Sequence, residues 1–390
     1  MELEFSPEAK EALEIMSSSS KNLFLTGRAG TGKSTLLEYF RASSKKKVAI
    51  LAPTGVAALN VGGETIHSFF NLKPNFELEE VQNKFKKPKR EKLFINLQTI
   101  VIDEISMLRA DILDAIDLYL QKARKTKEVF GGVQMIFIGD LYQLPPVVHN
   151  DEKEKFFLLY KTPFFFGSVA FTKIGLEFIE LKEIYRQKNM DFINILNNIR
   201  EKTIKQQDLD LLNSRVQSDF DDNGFIYLTT TNKNAKSINE EKLSSIDDDL
   251  YTFEAIVEGE VVANQYPTET ELNVKINSQI MFVQNDKDRR WVNGSIGKII
   301  SIDERKNIVL VELQNGFEVE VEPYTWEISR YILENGEFQR DIIGEFTQMP
   351  FKLAWAITIH KSQGKTFEKL VIDLERGSFA HGQTYVAFSR

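Results

Sequence analysis

A glycine-bracketed loop near the N-terminus limits what this chain can fold into. The run Phe24-Leu25-Thr26-Gly27-Arg28-Ala29-Gly30-Thr31-Gly32-Lys33-Ser34-Thr35 follows an apolar segment, Asn22–Leu25, and opens a helical pattern at Lys33. The spacing G-x-x-x-x-G-K-S carries meaning only between a strand and a helix, and both are present. Gly27, Gly30 and Gly32 lack Cβ atoms, so the backbone can curl until its N–H groups point inward. Those donors and the positive end of the following helix suit a polyphosphate. Lys33 supplies a mobile charge for the β- and γ-phosphates, and the Ser34 hydroxyl can ligate Mg²⁺. The expected nucleotide cradle is therefore Gly27, Ala29, Gly30, Thr31, Gly32, Lys33, Ser34 and Thr35, with ATP and Mg²⁺ as its cofactors.

The flanking elements predict an α/β fold. Ser6-Pro7-Glu8 reads as a helix start, a capping hydroxyl followed by Pro at the first helical position. Lys47–Leu51 is an apolar strand running into Ala52–Ala58, and Val133–Ile138 is another, closed by Gly139–Pro146. Thr99-Ile100-Val101-Ile102 ends in Asp103 and Glu104. Desolvating adjacent carboxylates at a strand end is costly without a metal or partner, so Asp103 is expected to hold Mg²⁺ and Glu104 to polarise an attacking water as general base. Gln143 lies on the loop after the next strand, where an amide can sense a γ-phosphate. Ile112, Ala115, Ile116 and Tyr119 share one helix face and read as core.

Gly62–Phe70 mixes hydroxyls, aromatics and backbone donors that suit a single nucleic-acid strand; taken alone, Phe69 and Phe70 read as a packed helix. Lys84–Lys92 is the most basic run and reads equally as a phosphate contact or a solvated loop. Phe225–Leu228 begins a second α/β series and runs into Thr229–Asn232, whose hydroxyls can donate to phosphates. Between Tyr251 and about Phe346 strands dominate. Asn315-Gly316, set between Ile308–Leu313 and Phe317–Glu322, is the strongest hairpin signal, so a small antiparallel β-barrel is expected as an insertion. Trp355–Leu374 returns to α/β character, with Thr358-Ile359-His360-Lys361-Ser362-Gln363-Gly364-Lys365-Thr366 between its strands.

Composition narrows the classes without choosing among them. The 390 residues contain no Cys, which excludes disulfides, cysteine-held zinc and thiol chemistry. A net charge of −8 argues mildly against nucleic acid in bulk, although a local basic groove is compatible with it. Met1-Glu2-Leu3-Glu4 has neither the basic nor the apolar region of a secretory signal, and no apolar run reaches the ~20 residues of a membrane span. The expectation is an intracellular protein, in a bacterial cytoplasm or nucleoid.

Taken in order, the phosphate loop, Ala52–Ala58, Asp103-Glu104, Gly139–Pro146, Tyr185-Arg186-Gln187, Thr358–Gly364 and Tyr385–Arg390 resemble the successive motifs of superfamily 1 helicases. The nearest resemblance is to the Pif family, in the branch that also holds RecD. It covers nearly the whole chain. It implies two RecA-like lobes, residues 1–180 with a small wedge at about 65–95, and 181–250 with 346–390, the region 251–345 being a Src-homology-type barrel. It implies ATP and Mg²⁺ served by Lys33, Ser34, Asp103, Glu104, Gln143 and Gly364, with Arg186 and Arg390 as arginine fingers from the second lobe. It implies contacts to single-stranded DNA from Pro53, Thr54, Gly55, Thr65, His67, Ser68, Phe69, Thr230, Asn232, His360, Lys361, Ser362 and Gln363. It further implies a monomeric 5′→3′ motor on tailed, forked or quadruplex DNA, serving replication, repair or recombination, with telomere-type maintenance if eukaryotic. The chain departs from the family at Phe5–Lys10, where a Gln that reads adenine is missing, and it stops at Arg390, where members usually continue. Two other readings are a P-loop switch acting on protein, which the acidic charge suits, and a RecD-like subunit of a larger nuclease complex. A non-catalytic nucleic-acid clamp would not need Ser34, Asp103 and Glu104.

Overall fold

The computed structural model of the chain describes residues 5–73, 90–148, 150, 152–187, 189–217, 219–261, 263–334, 336–375 and 377–390. The basic run 84–89 and most of the expected wedge lie outside them. The chain forms two compact units: Met1–Met190 with Ser329–Ile342, and Asp191–Ile328 with Ile343–Arg390.

The first unit is built on a six-stranded sheet of β1 (Asn22–Gly27), β2 (Val48–Ala52), β3 (Glu64–Thr65), β4 (Thr99–Ile102), β5 (Gln134–Ile138) and β6 (Leu176–Leu181), in the order β3-β2-β4-β5-β1-β6. Every pairing is parallel. Its central strands are apolar at consecutive positions because both faces are covered. Phe24, Leu51, Ile100, Ile102 and Phe137 pack on one side with Ile112, Leu113, Ile116 and Leu120 of the helix Ala110–Arg124. Leu23, Leu25, Ile50, Val101, Ile136 and Ile138 face the other side, under α1 (Pro7–Ser18) and α2 (Lys33–Ser43). Ser6 caps α1 by accepting from the Ala9 N–H at 3.3 Å, with Pro7 at the first helical position. β1 lies between β5 and β6 while the next strand in the chain, β2, lies beyond β5 and β4. The loop after β1 therefore leaves at a switch point on the carboxyl edge, where open α/β sheets bind ligands.

A long hairpin end, Ser329–Ile342, belongs to this unit rather than to the β-rich insertion expected over 251–345. Glu64, buried at the start of β3, explains why. Its carboxylate accepts from the Tyr331 N–H at 3.1 Å and from the Ser68 hydroxyl at 2.8 Å, and pairs with Arg90 at 3.4 Å. The Tyr331 hydroxyl accepts from the Ile50 N–H at 3.2 Å.

The second unit holds a three-stranded parallel sheet, β18-β7-β19, made of β7 (Ile226–Thr229), β18 (Ala356–Thr358) and β19 (Leu370–Asp373). The helix Asn232–Ser244 is locked to it by Asn239, whose side chain donates to the Ala356 carbonyl at 2.9 Å and accepts from the Ala356 N–H at 2.8 Å. Between β7 and β18 lies the antiparallel insertion. Its strands are β8 (Tyr251–Glu254), β9 (Ile256–Gly259), β10 (Glu271–Val274), β11 (Gln279–Phe282), β12 (Ile296–Asp303), β13 (Ile308–Leu313), β14 (Glu318–Val321), β15 (Tyr324–Glu334), β16 (Glu337–Gln348) and β17 (Phe351–Leu353). Five of them form a sheet ordered β14-β13-β12-β11-β17 over a core of Ile280, Phe282, Trp291, Val309 and Phe351. Asn315-Gly316 makes the predicted turn between β13 and β14, with Gly316 at φ +82°.

Phe69 is 1% exposed and packs edge-on against Phe70, Phe94 and Tyr331. Its ring is part of the core in this structure. Phe69→Ala is expected to destabilise the first unit by about 3–5 kcal/mol, read from urea unfolding.

Candidate active site

The loop after β1 has the geometry its glycines require. Gly30 and Gly32 lie at φ +79° and +84°, a region L side chains avoid. A Cβ on Gly27 would sit 2.6 Å from the Thr31 hydroxyl oxygen and 2.8 Å from the Leu181 carbonyl. The Thr31 hydroxyl closes the loop by donating to the Arg28 carbonyl at 2.9 Å. Lys33 then opens α2 and turns its amine back into the loop, donating to the carbonyls of Gly27 at 2.7 Å and Arg28 at 3.0 Å. Ala29 is buried, while Ser34 and Thr35 at the head of α2 are exposed.

Neighbouring strands deliver the charges around this amine. β4 ends at Ile102 and Asp103 follows, its N–H donating to the Leu51 carbonyl at 2.9 Å. Glu104 follows in a left-handed conformation, φ +50°, and starts a single 3₁₀ turn, Ile105–Met107. That turn approaches Gly139 at the end of β5 so closely that a Cβ there would lie 2.9 Å from Ile105 Cγ2. Asp140 is thereby drawn in. Burial pulls the Lys33 amine below the usual lysine range, opposed by Asp140, Glu104 and Asp103 and reinforced by Arg186. Burial, then the charge of Glu104, pushes the Asp103 carboxyl up to about 7, against the Glu104 N–H and Lys33.

Asp140 is a functional candidate that only the structure brings out. Its carboxylate is the strongest attraction on Lys33, and it also accepts from the Tyr142 N–H at 3.1 Å. The signal was available: like Asp103, it is an acid just past an apolar strand. Gln143 is buried on the same loop, its N–H donating to the Asp140 carbonyl at 3.0 Å.

Arg186 lies against the phosphate loop. The resemblance implied two fingers from the second lobe and a boundary at 180/181. Arg186 belongs instead to the first unit. Because β6 lies beside β1, the chain leaving β6 runs along the phosphate loop. The Tyr185 N–H donates to the Gly30 carbonyl at 2.8 Å, and a Cβ on Gly30 would overlap the Arg186 Cβ. Arg390 belongs to the second unit. It is buried, with its Nε donating to the Val386 carbonyl at 3.0 Å. Gly364, also in the second unit, takes φ +80°.

Several residues expected to meet DNA have structural duties. Thr54 and Thr65 cap short helices, each accepting from a backbone N–H three residues on at 3.2 Å. Pro53 and Gly55 flank the first cap, and Asn232 follows a third cap, Thr231. Burial and Arg109 hold His67 below the usual histidine range, against Asp111. The Thr230 hydroxyl donates to Glu375 at 3.0 Å. Ser362 is fully buried and its hydroxyl donates to the Ile359 carbonyl at 2.8 Å, which shapes the turn. His360 and Gln363 are half-buried in the same turn, where Lys361 is exposed.

The profile of the PIF1-like helicases matches residues 7–210. This chain belongs to that family. A PIF1-like relative, the ATP-dependent DNA helicase Pif1 of Bdellovibrio bacteriovorus, is 34% identical over 100% of this chain and 86% of its own length. The Bacteroides sp. Pif1 structure in complex with ADP-AlF4 is 36% identical and covers 100% of this chain and 90% of its own, at a TM-score of 0.89. Bacteroides Pif1 bound to ssDNA is also 36% identical with the same coverage, at a TM-score of 0.68.

In this PIF1-like helicase Gly30→Ala should cost about 1–2 kcal/mol of strain in the loop and collide with Arg186. ATP affinity is expected to fall on the order of tenfold or more, read by nucleotide titration, with the fold retained by circular dichroism.

Proposed function

We propose that the chain couples ATP hydrolysis to 5′→3′ movement along single-stranded DNA and so unwinds tailed or forked duplexes. Membership of the PIF1-like helicases makes it an ATP-hydrolysing helicase. The observation that carries the chemistry is the convergence of Lys33, Asp103, Glu104, Asp140 and Arg186 on one loop within one compact unit. Single-stranded DNA as partner is supported by the ssDNA-bound Bacteroides relative. The polarity, the preference for forks or quadruplexes and a monomeric state rest on the family resemblance alone. No helix among the described residues is long and apolar enough to cross a membrane, and we place the protein inside the cell, where its DNA would be.

The residues present fit Mg²⁺. That ion keeps several waters and usually takes one or two carboxylates beside substrate phosphates. Among the described residues no three His, Asp or Glu side chains gather into an all-protein cage. Ser34 and Asp103 would hold it, and the raised Asp103 carboxyl is the kind a cation relieves. Held there, such an ion would supply charge neutralisation for the β- and γ-phosphates.

The chain's own groups divide the work. The inward N–H groups of Gly30–Ser34 hold the phosphates, and Lys33 exchanges its backbone carbonyls for phosphate oxygens. Glu104, placed by its left-handed backbone one residue beyond Asp103, takes the proton of the attacking water. Gln143 orients that water or senses the γ-phosphate. Arg186 stabilises negative charge on the transferring phosphoryl group, a role worth about 10³–10⁵ in rate where it has been isolated; the same role for Arg390 rests on the family resemblance alone. Contacts to DNA fall on phosphates and base faces, so sequence preference is weak.

Glu104→Gln is expected to bind ATP normally and lose DNA-stimulated turnover by at least about 10²-fold, measured by phosphate release. Normal turnover would remove Glu104 as the base. Unwinding of matched 5′-tailed and 3′-tailed duplexes tests the whole reading: only the 5′-tailed substrate should open. ATP turnover indifferent to oligonucleotide would favour a protein-directed switch.

A further inference from the structure

The connection between β11 and β12 is built more heavily than a turn requires. It runs over residues 283–295, where a hairpin ordinarily needs about two to five. At its centre the Asp286 side chain is only 6% exposed. Its carboxylate accepts from the Asp288 and Arg290 N–H groups at 3.0 and 3.1 Å, and from the Arg290 guanidinium at 2.9 and 2.7 Å. The bonds from Arg290 hold the carboxyl down to about 2. The guanidinium is pinned in turn. It lies 4.6 Å from the centre of the Trp291 ring and donates to the Glu320 carbonyl of β14 at 3.1 Å. Trp291 stacks on Phe282 at 4.4 Å, and its indole N–H donates to the Gln284 carbonyl at 3.1 Å. The Gln284 side chain accepts from the Trp326 indole N–H at 3.2 Å.

This framework bounds a recess of about 280 Å³, near the lower end for ligand pockets. Trp291, Tyr324, Pro323 and Pro350 supply its apolar lining, all of them stiff side chains. The charged lining is unbalanced. Asp286, Asp288, Glu320 and Glu322 stand against Lys287 and Arg290, and Asp286 and Arg290 satisfy each other. The exposed Asp288, Glu320 and Glu322 then face one lysine. Such a rim repels phosphate and favours a cation. Among the described residues no three His, Asp or Glu side chains gather to hold a metal ion, so the fitting cation is organic. Aromatic and proline surfaces beside carboxylates suit a polyproline II peptide that carries arginine. Such a peptide is already extended and loses little freedom on docking, and the arginine fork matches carboxylate geometry.

We propose that this recess on the β insertion docks a partner protein through an extended, proline-containing segment that carries arginine, with proline against Tyr324 and Pro323 and the guanidinium facing Asp288 and Glu322. The site contains none of the residues given above to ATP or DNA, and it goes beyond the helicase reading without resting on it. Its ligand is a protein and not a nucleic acid, because the rim has the wrong sign for a phosphate backbone.

The test is fluorescence anisotropy of a labelled peptide of four Arg-Pro-Pro repeats with the full chain at low salt, without DNA or nucleotide. Binding should saturate. Asp288→Asn and Glu322→Gln should each weaken it by about two- to fivefold. Glu318→Gln, an exposed acid of β14 outside the recess, should match the parent. A peptide of four Arg-Gly-Gly repeats has the same charge without the preformed extension, and should bind at least about fivefold more weakly. ATP turnover with oligothymidylate should be the same in the parent and both acid variants. No binding by the parent overturns the site, and so does binding that the two acid variants leave unchanged. Equal affinity for the glycine peptide overturns it as well, since the recess would then be only a patch of negative charge. Equal affinity for a peptide of Glu-Pro-Pro repeats does the same, since the guest is then not a cation. A parent dimer in sedimentation that Glu322→Gln dissolves seats a second copy there and overturns the separate partner. Turnover lost together with peptide binding in both acid variants assigns these residues to folding and likewise overturns it.

Discussion

A primary amine with little access to water, held at the carboxyl edge of a parallel sheet, is the constraint around which the first unit is arranged. Lys33 is costly to bury, and the fold meets that cost with two backbone carbonyls and with acids brought by two different strands. Each requirement propagates. The carbonyls of Gly27 and Arg28 face the amine only because the loop reverses at Gly30 and Gly32. The acids arrive because β5 stops at the level of Leu25 and β4 at the level of Phe24, just short of the loop. Gly139 lets the Glu104 turn and the β5 end approach. The apolar core on both faces of the sheet serves this edge, since it fixes where each strand stops.

Sequence made the phosphate loop, the Asp103-Glu104 pair and the Asn315-Gly316 hairpin legible, because each depends on neighbours within a few residues. What it concealed depends on distant partners. Asp140 reads as one more loop acid until β5 is known to lie next to β1. Arg186 reads as part of a second lobe until β6 is found on the other side of β1, which brings Tyr185 to Gly30. Phe69 and Ser362 fall within segments that resemble DNA-binding motifs, yet both side chains are buried in the structure. In both, the residue's own character pointed inward: a large ring amid other aromatics, and a hydroxyl able to bond the carbonyl three residues back.

Three of the candidate DNA segments share one construction. Each begins where a parallel strand ends, and Thr54, Thr65 and Thr231 each cap the helix that follows. The backbone is thereby held without help from a ligand, and only some hydroxyls are left over. Pro53, Thr54, His360 and Lys361 are the exposed or half-buried members.

Glu64 carries an implication for how the polypeptide could be divided. Its carboxylate is satisfied by groups from positions 68, 90 and 331, and the Tyr331 ring closes the aromatic cluster around Phe69. The second unit is thus spliced into the first, and the chain must come back after some 140 residues to finish what it began. A fragment cut after Met190 would keep the whole parallel sheet yet strand an anion without its last donor and bare one edge of a phenylalanine cluster. The two bodies differ as modules of contact, but they are a single unit of synthesis.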